Sequence, residues 1–455
     1  MIEDKVWLIE PSGPLRGDVE VRGSKNGVSK HMVAAMLGTG ESSIHNAPEV
    51  GEVGITAAML EALGIHVKIN EQEIRIEKGK EIRPQVPHAF SGLNRIPILM
   101  LGPLLHLAGE AFVPLVGGDP IGRRPVNFHV EALRSMGAEV EVGEDGIYAK
   151  ATRLRGARIE LPYPSVGATE TILMSAVLAE GKTVIKNAAM EPEVVELALF
   201  LQRMGARIEL SPDRRIVIEG VPELHGAQTW LSGDRIEAFS YLAAGLITRG
   251  EVRVHGCPQD RLVTAITTLA RMGAQFEIND DYICATAPPE GLRSAAVQTD
   301  THPGFMTDWQ TPLMVLFTQS QGMSVLHETV FENRLVYVPA LQEMGCEIEV
   351  FDQCLGGPRL PLPRHQRQAL GRGARGVQAT RRRRDAARHQ GGLLRRAGRR
   401  GGRRHVTTAR RPAHRAGLPP AVRAVRLARS EYPQRRVKAG EPGVWPGSAG
   451  RRPSE

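Results

Sequence analysis

One short pattern returns five times along the chain: a helix-like run closes on a glycine and gives way to alternating apolar residues. The copies are Glu61-Ala62-Leu63-Gly64-Ile65, Arg134-Ser135-Met136-Gly137-Ala138, Gln202-Arg203-Met204-Gly205-Ala206, Ala270-Arg271-Met272-Gly273-Ala274 and Gln342-Glu343-Met344-Gly345-Cys346. The steps between their glycines are 73, 68, 68 and 72 residues. A second marker, Gly40, Gly109, Gly181, Gly250 and Gly322, precedes each by 23 to 28 residues and opens a β-prone stretch such as Thr183-Val184-Ile185. Two markers that keep one period confine the chain to tandem copies of a single unit.

The unit can be read from its residues. In the first copy Ile55, Met59, Leu60 and Leu63 recur at helical spacing and form one apolar stripe. Gly64 suits a helix end that needs a left-handed residue. Ile65, Val67 and Ile69 then alternate as a half-buried strand, and Ile74 and Ile76 supply a second strand after Asn70-Glu71-Gln72. A mixed α/β period near 70 exceeds the usual solenoid unit, so the expectation is several compact α/β units packed into globular domains.

The repeat also shows where the chain changes character. Residues 1–358 hold 31 Lys and Arg against 46 Asp and Glu, a net charge of −15, whereas residues 359–455 hold 27 against 4, a net of +23. Of those last 97 residues 26 are Arg, 14 Ala, 13 Gly and 9 Pro, without the apolar material of a packed core. A sixth helix–glycine junction is due near residue 415 by the spacing, and nothing there fits it. Three readings follow, in this order: a GC-rich gene translated out of frame, a disordered extension, and an arginine-rich arm for nucleic acid centred on Arg381-Arg382-Arg383-Arg384. Translating codons 350–365 in all three frames tests the first. The body carries no helix-turn-helix, zinc finger or aromatic platform, so nucleic-acid binding rests on the tail alone.

Other classes are disfavoured by simpler counts. The acidic opening Met1-Ile2-Glu3-Asp4-Lys5 lacks an apolar signal core, so export is not expected. The apolar stretch from Ile96 to Gly109 contains Pro103 and His106 and is too short to span a bilayer. Cysteines at 257, 284, 346 and 354 have neither metal-ligand spacing nor the density of a disulfide scaffold. A cytoplasmic protein without a membrane partner fits these features.

Six stretches carry a family resemblance: Gly23-Ser24-Lys25-Asn26, Gly117-Gly118-Asp119-Pro120-Ile121-Gly122-Arg123-Arg124-Pro125-Val126, Ser165-Val166-Gly167-Ala168-Thr169, Gly233-Asp234-Arg235-Ile236-Glu237, His302-Pro303-Gly304-Phe305-Met306-Thr307-Asp308 and Phe331-Glu332-Asn333-Arg334. In order and spacing they resemble the motifs of the enolpyruvyl transferases, and among them the UDP-N-acetylglucosamine 1-carboxyvinyltransferase family. The resemblance runs from about residue 7 to about residue 357. It implies an α/β enolpyruvyl-transferase fold, two domains of three βαβαββ units each arranged as inside-out α/β barrels, with the sixth repeat lost here. Residues 23–232 would form one domain. Residues 1–22 with 233–358 would form a second, discontinuous and incomplete one, followed by the 359–455 tail.

The resemblance further implies transfer of the enolpyruvyl group of phosphoenolpyruvate to the 3-hydroxyl of UDP-N-acetylglucosamine, releasing phosphate, the first committed step of peptidoglycan precursor synthesis. The partners would be these small molecules, with no cofactor and no metal. Such chemistry needs fixed cations for a trianion, a proton donor near C3 and a base near the hydroxyl. Lys25, Arg95 and Arg124 resemble the family's phosphoenolpyruvate contacts, and Asn26 its acceptor-sugar contact. Asp119 stands where most members carry the cysteine that donates the proton and is alkylated by fosfomycin, so a retained acid insensitive to that drug is expected. Asp308 falls at the candidate base. Arg124, Pro125, Val126, Asn127, Ser165, Val166, Gly167 and Val330 align with positions around the uridine and diphosphate. Two residues depart: Asn127 replaces a typical Asp, and Tyr163 a typical Lys. Losing that Lys removes a charge contact to phosphate and keeps open an acceptor that is another uridine nucleotide of secondary metabolism. A catalytically inactive member is the other alternative, since the family's remaining phosphoenolpyruvate arginines belong to the part the tail replaces.

Overall fold

The computed structural model describes residues 8–351 and the backbone of Gln368–Gly371. The tail reading and the sixth junction near residue 415 otherwise lie outside the described residues. Within them the repeat becomes five sheets of one design, joined by a two-stranded ribbon of Gly38–Thr39 and Leu224–His225.

The third unit shows the design in full. Strand Arg158–Glu160 pairs parallel with Lys182–Lys186, helix Val166–Ala176 making the crossover. Helix Pro192–Arg203 then leads to Arg207–Ser211, which turns back antiparallel into Arg215–Glu219 beside Lys182–Lys186. Helices between strands cover the sheet, as parallel pairing demands. In helix Pro192–Arg203, Val194, Leu197, Ala198, Phe200 and Leu201 are buried at helical spacing. A side chain as large as Phe200, fully removed from water, contributes roughly 2 kcal/mol. The second unit keeps three strands, its remaining edge reduced to one bridge between Gln85 and Phe112. In the fifth unit Ala296–Gln298, Val325–Glu328 and Glu349–Phe351 form a sheet with Gln368–Gly371, which pairs antiparallel to the latter two.

The five junction glycines, Gly64, Gly137, Gly205, Gly273 and Gly345, all adopt φ between 89° and 107°, the left-handed ending the pattern predicts. The second marker is less uniform. Gly40, Gly109, Gly181 and Gly322 share the positive φ, but in the fourth unit Arg249 takes it, with φ 53°. Gly250 is required there for a different reason: a Cβ would lie 1.9 Å from the Leu15 carbonyl oxygen.

The first and fourth units do not own all their strands. The first borrows Gln228–Trp230, parallel to Ser42–His45, and the fourth borrows Arg16–Glu20, parallel to Glu251–His255. The chain therefore crosses twice, and the crossings touch at a bridge between Gly23 and Gly233. Added Cβ atoms would fall 2.1 Å from the Asn46 carbonyl oxygen and 2.0 Å from that of Gly256, so the crossing tolerates no side chain. Buried apolar residues form two clusters on either side of it. One runs from Val28 to Leu231, and the other joins Val21 to residues between Ala238 and Ile348. No helix among the described residues is long and apolar enough to cross a membrane.

Candidate active site

The crossing fixes the first site element. Ser24 caps helix Lys25–Ala35 by accepting from the Gly27 N–H at 3.1 Å. Asp234 caps helix Arg235–Ile247 through the N–H groups of Ile236 and Glu237, and its other oxygen accepts the Lys25 N–H at 2.9 Å. One carboxylate thus ties two helix N-termini together, and leaves the Lys25 side chain exposed and Asn26 half-buried beside it.

The segment from Gly117 to Val126 is the second element. The Arg124 Nη2 donates to the Asp119 carbonyl oxygen at 2.8 Å, while the Asp119 side chain is exposed. Arg95 and Arg124 flank Gly118, where an added Cβ would lie 2.7 Å from Arg124 Nη2 and 3.6 Å from Arg95 Cγ. Burial, and then the Arg124 charge, lower the Arg95 pKa to about 10. Burial also lowers that of Arg124, opposed by Asp119 and reinforced by Arg334. Two partly desolvated guanidiniums that repel each other are held at a cost that a bound anion would relieve.

Ser165 caps helix Val166–Ala176 by accepting the Ala168 N–H at 3.4 Å, which places Val166 and Gly167 in the helix's first turn. Pro125 and Val126 lead into helix Asn127–Ser135. Its His129 is buried, is hydrogen-bonded through Nδ1 to the Thr171 hydroxyl at 2.8 Å, and packs against Gly167, whose absent Cβ would meet its ring at 3.1 Å. Burial and the nearby Arg95 hold this imidazole neutral, its pKa down at about 3.

From the other side comes Asp308, in the short turn Thr307–Trp309, accepting from Arg334 Nη2 at 2.6 Å. Val330 and Phe331 donate their N–H groups to the buried Glu328 carboxylate. The variant position Tyr163 is half-buried; burial, then Glu191, Asp300 and Glu328, raise its hydroxyl pKa. Asn127, the other departure, is exposed at the first turn of its helix.

Arg124 thus bonds the Asp119 backbone, Arg334 bonds Asp308, and the Arg334 and Arg95 charges bear on Arg124 and His129 respectively. Among the described residues no hydrogen bond connects the side chains of Lys25 or Asn26 to the Asp119 segment. No group of three or more His, Cys, Asp or Glu among the described residues is arranged to hold a metal.

Residues 9–362 match the model of the EPSP synthase (3-phosphoshikimate 1-carboxyvinyltransferase) family. The chain belongs to the enolpyruvyl transferase family. The UDP-N-acetylglucosamine 1-carboxyvinyltransferase of Chlamydia pneumoniae is 43% identical over 347 residues, 75% of this chain and 76% of that protein. The protein of the same name from Protochlamydia amoebophila (strain UWE25) is 43% identical over 354 residues, 76% of each chain. Among solved structures the enolpyruvyl transferase NikO from Streptomyces tendae superposes with a TM-score of 0.69 at 21% identity, covering 79% of this chain and 82% of that one. EPSP synthase from Acinetobacter baumannii does so with 0.60 at 17%, covering 80% and 83%. These likenesses establish the enolpyruvyl-transferase fold.

In this enolpyruvyl transferase several residues matter that motif reading left without a role. Arg334 holds Asp308, Asp234 holds the Lys25 helix, and Arg235 forms a buried two-pronged ion pair with Glu193 at 2.9 and 3.0 Å, its guanidinium over the Trp309 ring. All but Glu193 and Trp309 lie within stretches that carry the resemblance. Only the fold shows which partner each one meets.

Proposed function

We propose that this enolpyruvyl transferase moves the enolpyruvyl group of phosphoenolpyruvate onto the 3-hydroxyl of UDP-N-acetylglucosamine and releases inorganic phosphate. It would act in the cytoplasm and feed peptidoglycan precursor synthesis. The observation that carries this reading is that Arg95 and Arg124 flank Gly118, with Arg124 on the Asp119 backbone, while Arg334 holds Asp308. The two guanidiniums, with Lys25, take the phosphate and carboxylate of phosphoenolpyruvate. Asp119 is the candidate donor of the proton to C3, while the sugar oxygen bonds to C2 and its proton passes to Asp308. The tetrahedral adduct then loses phosphate from C2, which carries off the hydroxyl proton from Asp308, while a C3 proton returns to Asp119 and the double bond is restored.

Asn26 orients the sugar. Pro125, Val126, Asn127, Val330 and the helix start at Ser165, Val166 and Gly167 surround the uridine and diphosphate. We assign residues 23–232 to one domain and 1–22 with 233–358 to the other, so the candidate proton donor and base come from different ones. A second reading, another uridine nucleotide as acceptor, is favoured by Tyr163, which stands where a Lys is typical and so does not itself bring a cation to the diphosphate. The test is phosphate release from phosphoenolpyruvate with a panel of uridine nucleotides. Release with UDP-N-acetylglucosamine supports the first reading, release only with another nucleotide supports the second, and none with any refutes both.

A further inference from the structure

The segment carrying Asp119 is held at Pro120, Ile121, Gly122 and Arg123 by two adjacent residues from the other side of the crossing. The Glu332 Oε1 accepts the Arg123 N–H at 2.6 Å. The Asn333 N–H donates to the Ile121 carbonyl oxygen at 3.0 Å, and its Nδ2 to that of Pro120 at 2.9 Å. Glu332 also lies flat on Gly122, where a Cβ would fall 2.3 Å from its Oε2. The next residue, Arg334, donates to Asp308 and lies close enough to Arg124 to lower its pKa.

We infer that Glu332 and Asn333 are positioning residues that hold the Asp119 segment in register with Asp308. Three consecutive residues, 332 to 334, set both ends of the chemistry: two grip the backbone next to the donor and the third aims the base. Neither Glu332 nor Asn333 touches the reacting atoms; they act on Asp119 and Arg124 through four backbone positions. The inference rests on the proposed reaction for its purpose, whereas the grip itself is measured separately.

Trypsin provides that measurement on the full chain, because the Arg123–Arg124 bond lies in the gripped segment and cleavage there can be followed by mass spectrometry. A protease that samples open states reports their population. Removing the side-chain bonds in a Glu332→Ala, Asn333→Ala double variant should accelerate cleavage after Arg123 by roughly tenfold. Gly122→Ala, which attacks the same contact from the loop side, should do likewise. Glu332→Gln keeps an oxygen acceptor and should stay as resistant as the parent. Equal cleavage of the parent, the double variant and Gly122→Ala would overturn the grip, as would Glu332→Gln cleaving as fast as the alanine variant. In phosphate-release assays the double variant should lose roughly tenfold or more in kcat with a smaller change in KM for phosphoenolpyruvate; a change in KM alone overturns the positioning role. A parent that releases no phosphate refutes the proposed reaction and leaves the grip to be decided by the cleavage result.

Discussion

Glu170 offers a perturbation whose size follows from its surroundings. It lies on helix Val166–Ala176, just beyond the first turn that presents Gly167, and only 1% of it is exposed. Burial raises its pKa from 4.5 to about 7; Lys30 opposes this, and Glu193, Glu191 and Glu52 add to it. The folded chain therefore favours protonated Glu170 more than the unfolded chain does. The resulting stability is fully present below about pH 4.5 and is lost as pH rises through about 7. The gap corresponds to about 3 kcal/mol. Glu170→Gln keeps the shape and removes the titration. In urea denaturation at a series of pH values, the stability of the parent relative to this variant should fall by about 3 kcal/mol between pH 4.5 and 8. Comparison with the variant is essential, because Glu191 and Glu328 are also shifted upward while Glu193 is shifted downward. Parallel curves for the two proteins across that window would refute the reasoning.

Three further outcomes follow from the site. Arg124→Ala removes one of the two desolvated guanidiniums and a charge-assisted contact worth about 1.5–3 kcal/mol, so KM for phosphoenolpyruvate should rise at least about tenfold; an unchanged KM in steady-state phosphate release counts against the anion site. Activity should survive prolonged incubation with fosfomycin because Asp119 has no thiol, whereas Asp119→Cys should be inactivated with one adduct per chain. Mass spectrometry showing a parent adduct would contradict this. Glu193→Gln leaves the Arg235 charge buried without its partner and should cost about 3–5 kcal/mol in thermal or urea unfolding. Replacing both residues by Met should recover most of that loss, and a double variant as unstable as the single one would argue against charge burial as its cause.

Much of this architecture was legible because a repeat imposes the same local rules five times. The junction glycines announce themselves by period, and all five take the left-handed conformation that the helix–strand turn requires. The limits of that reading are equally physical. Gly250 keeps the period but serves to let Leu15 approach, a contact between residues more than two hundred positions apart. Ile69 continues an apolar alternation yet is 45% exposed, so alternation alone overstates how far along the strand burial extends. The borrowed strands Arg16–Glu20 and Gln228–Trp230 carry no local mark of the sheets they join. In the site, the family resemblance points to Arg124 and Asp308, but the contact of Arg334 with Asp308 emerges only when the fold brings the two to 2.6 Å.

The double crossing explains why so much charge is buried far from the candidate donor and base. If these act from opposite sides of the crossing, catalysis depends on the angle between the sides as much as on either one. The first two turns around Pro192 supply three carboxylates that all reach across. Glu191 accepts the His302 N–H at 3.3 Å, Glu193 pairs with Arg235, and Glu196 meets Arg261 at 3.2 Å. Arg214 reaches the same way, donating to the His302 carbonyl oxygen. A hydrophobic seam would bind the two sides as firmly but would let them slide, since apolar contact has no direction. Paired charges with fixed forks permit few arrangements, and a buried charge that loses its partner is strongly penalised. Asp234 carries the same constraint into the site, because the carboxylate that caps Arg235–Ile247 also holds the Lys25 amide. Movement at the crossing therefore cannot leave Lys25 where it is, and on the proposed reading the candidate substrate cation is tied to the same joint that sets the distance between the candidate donor and base.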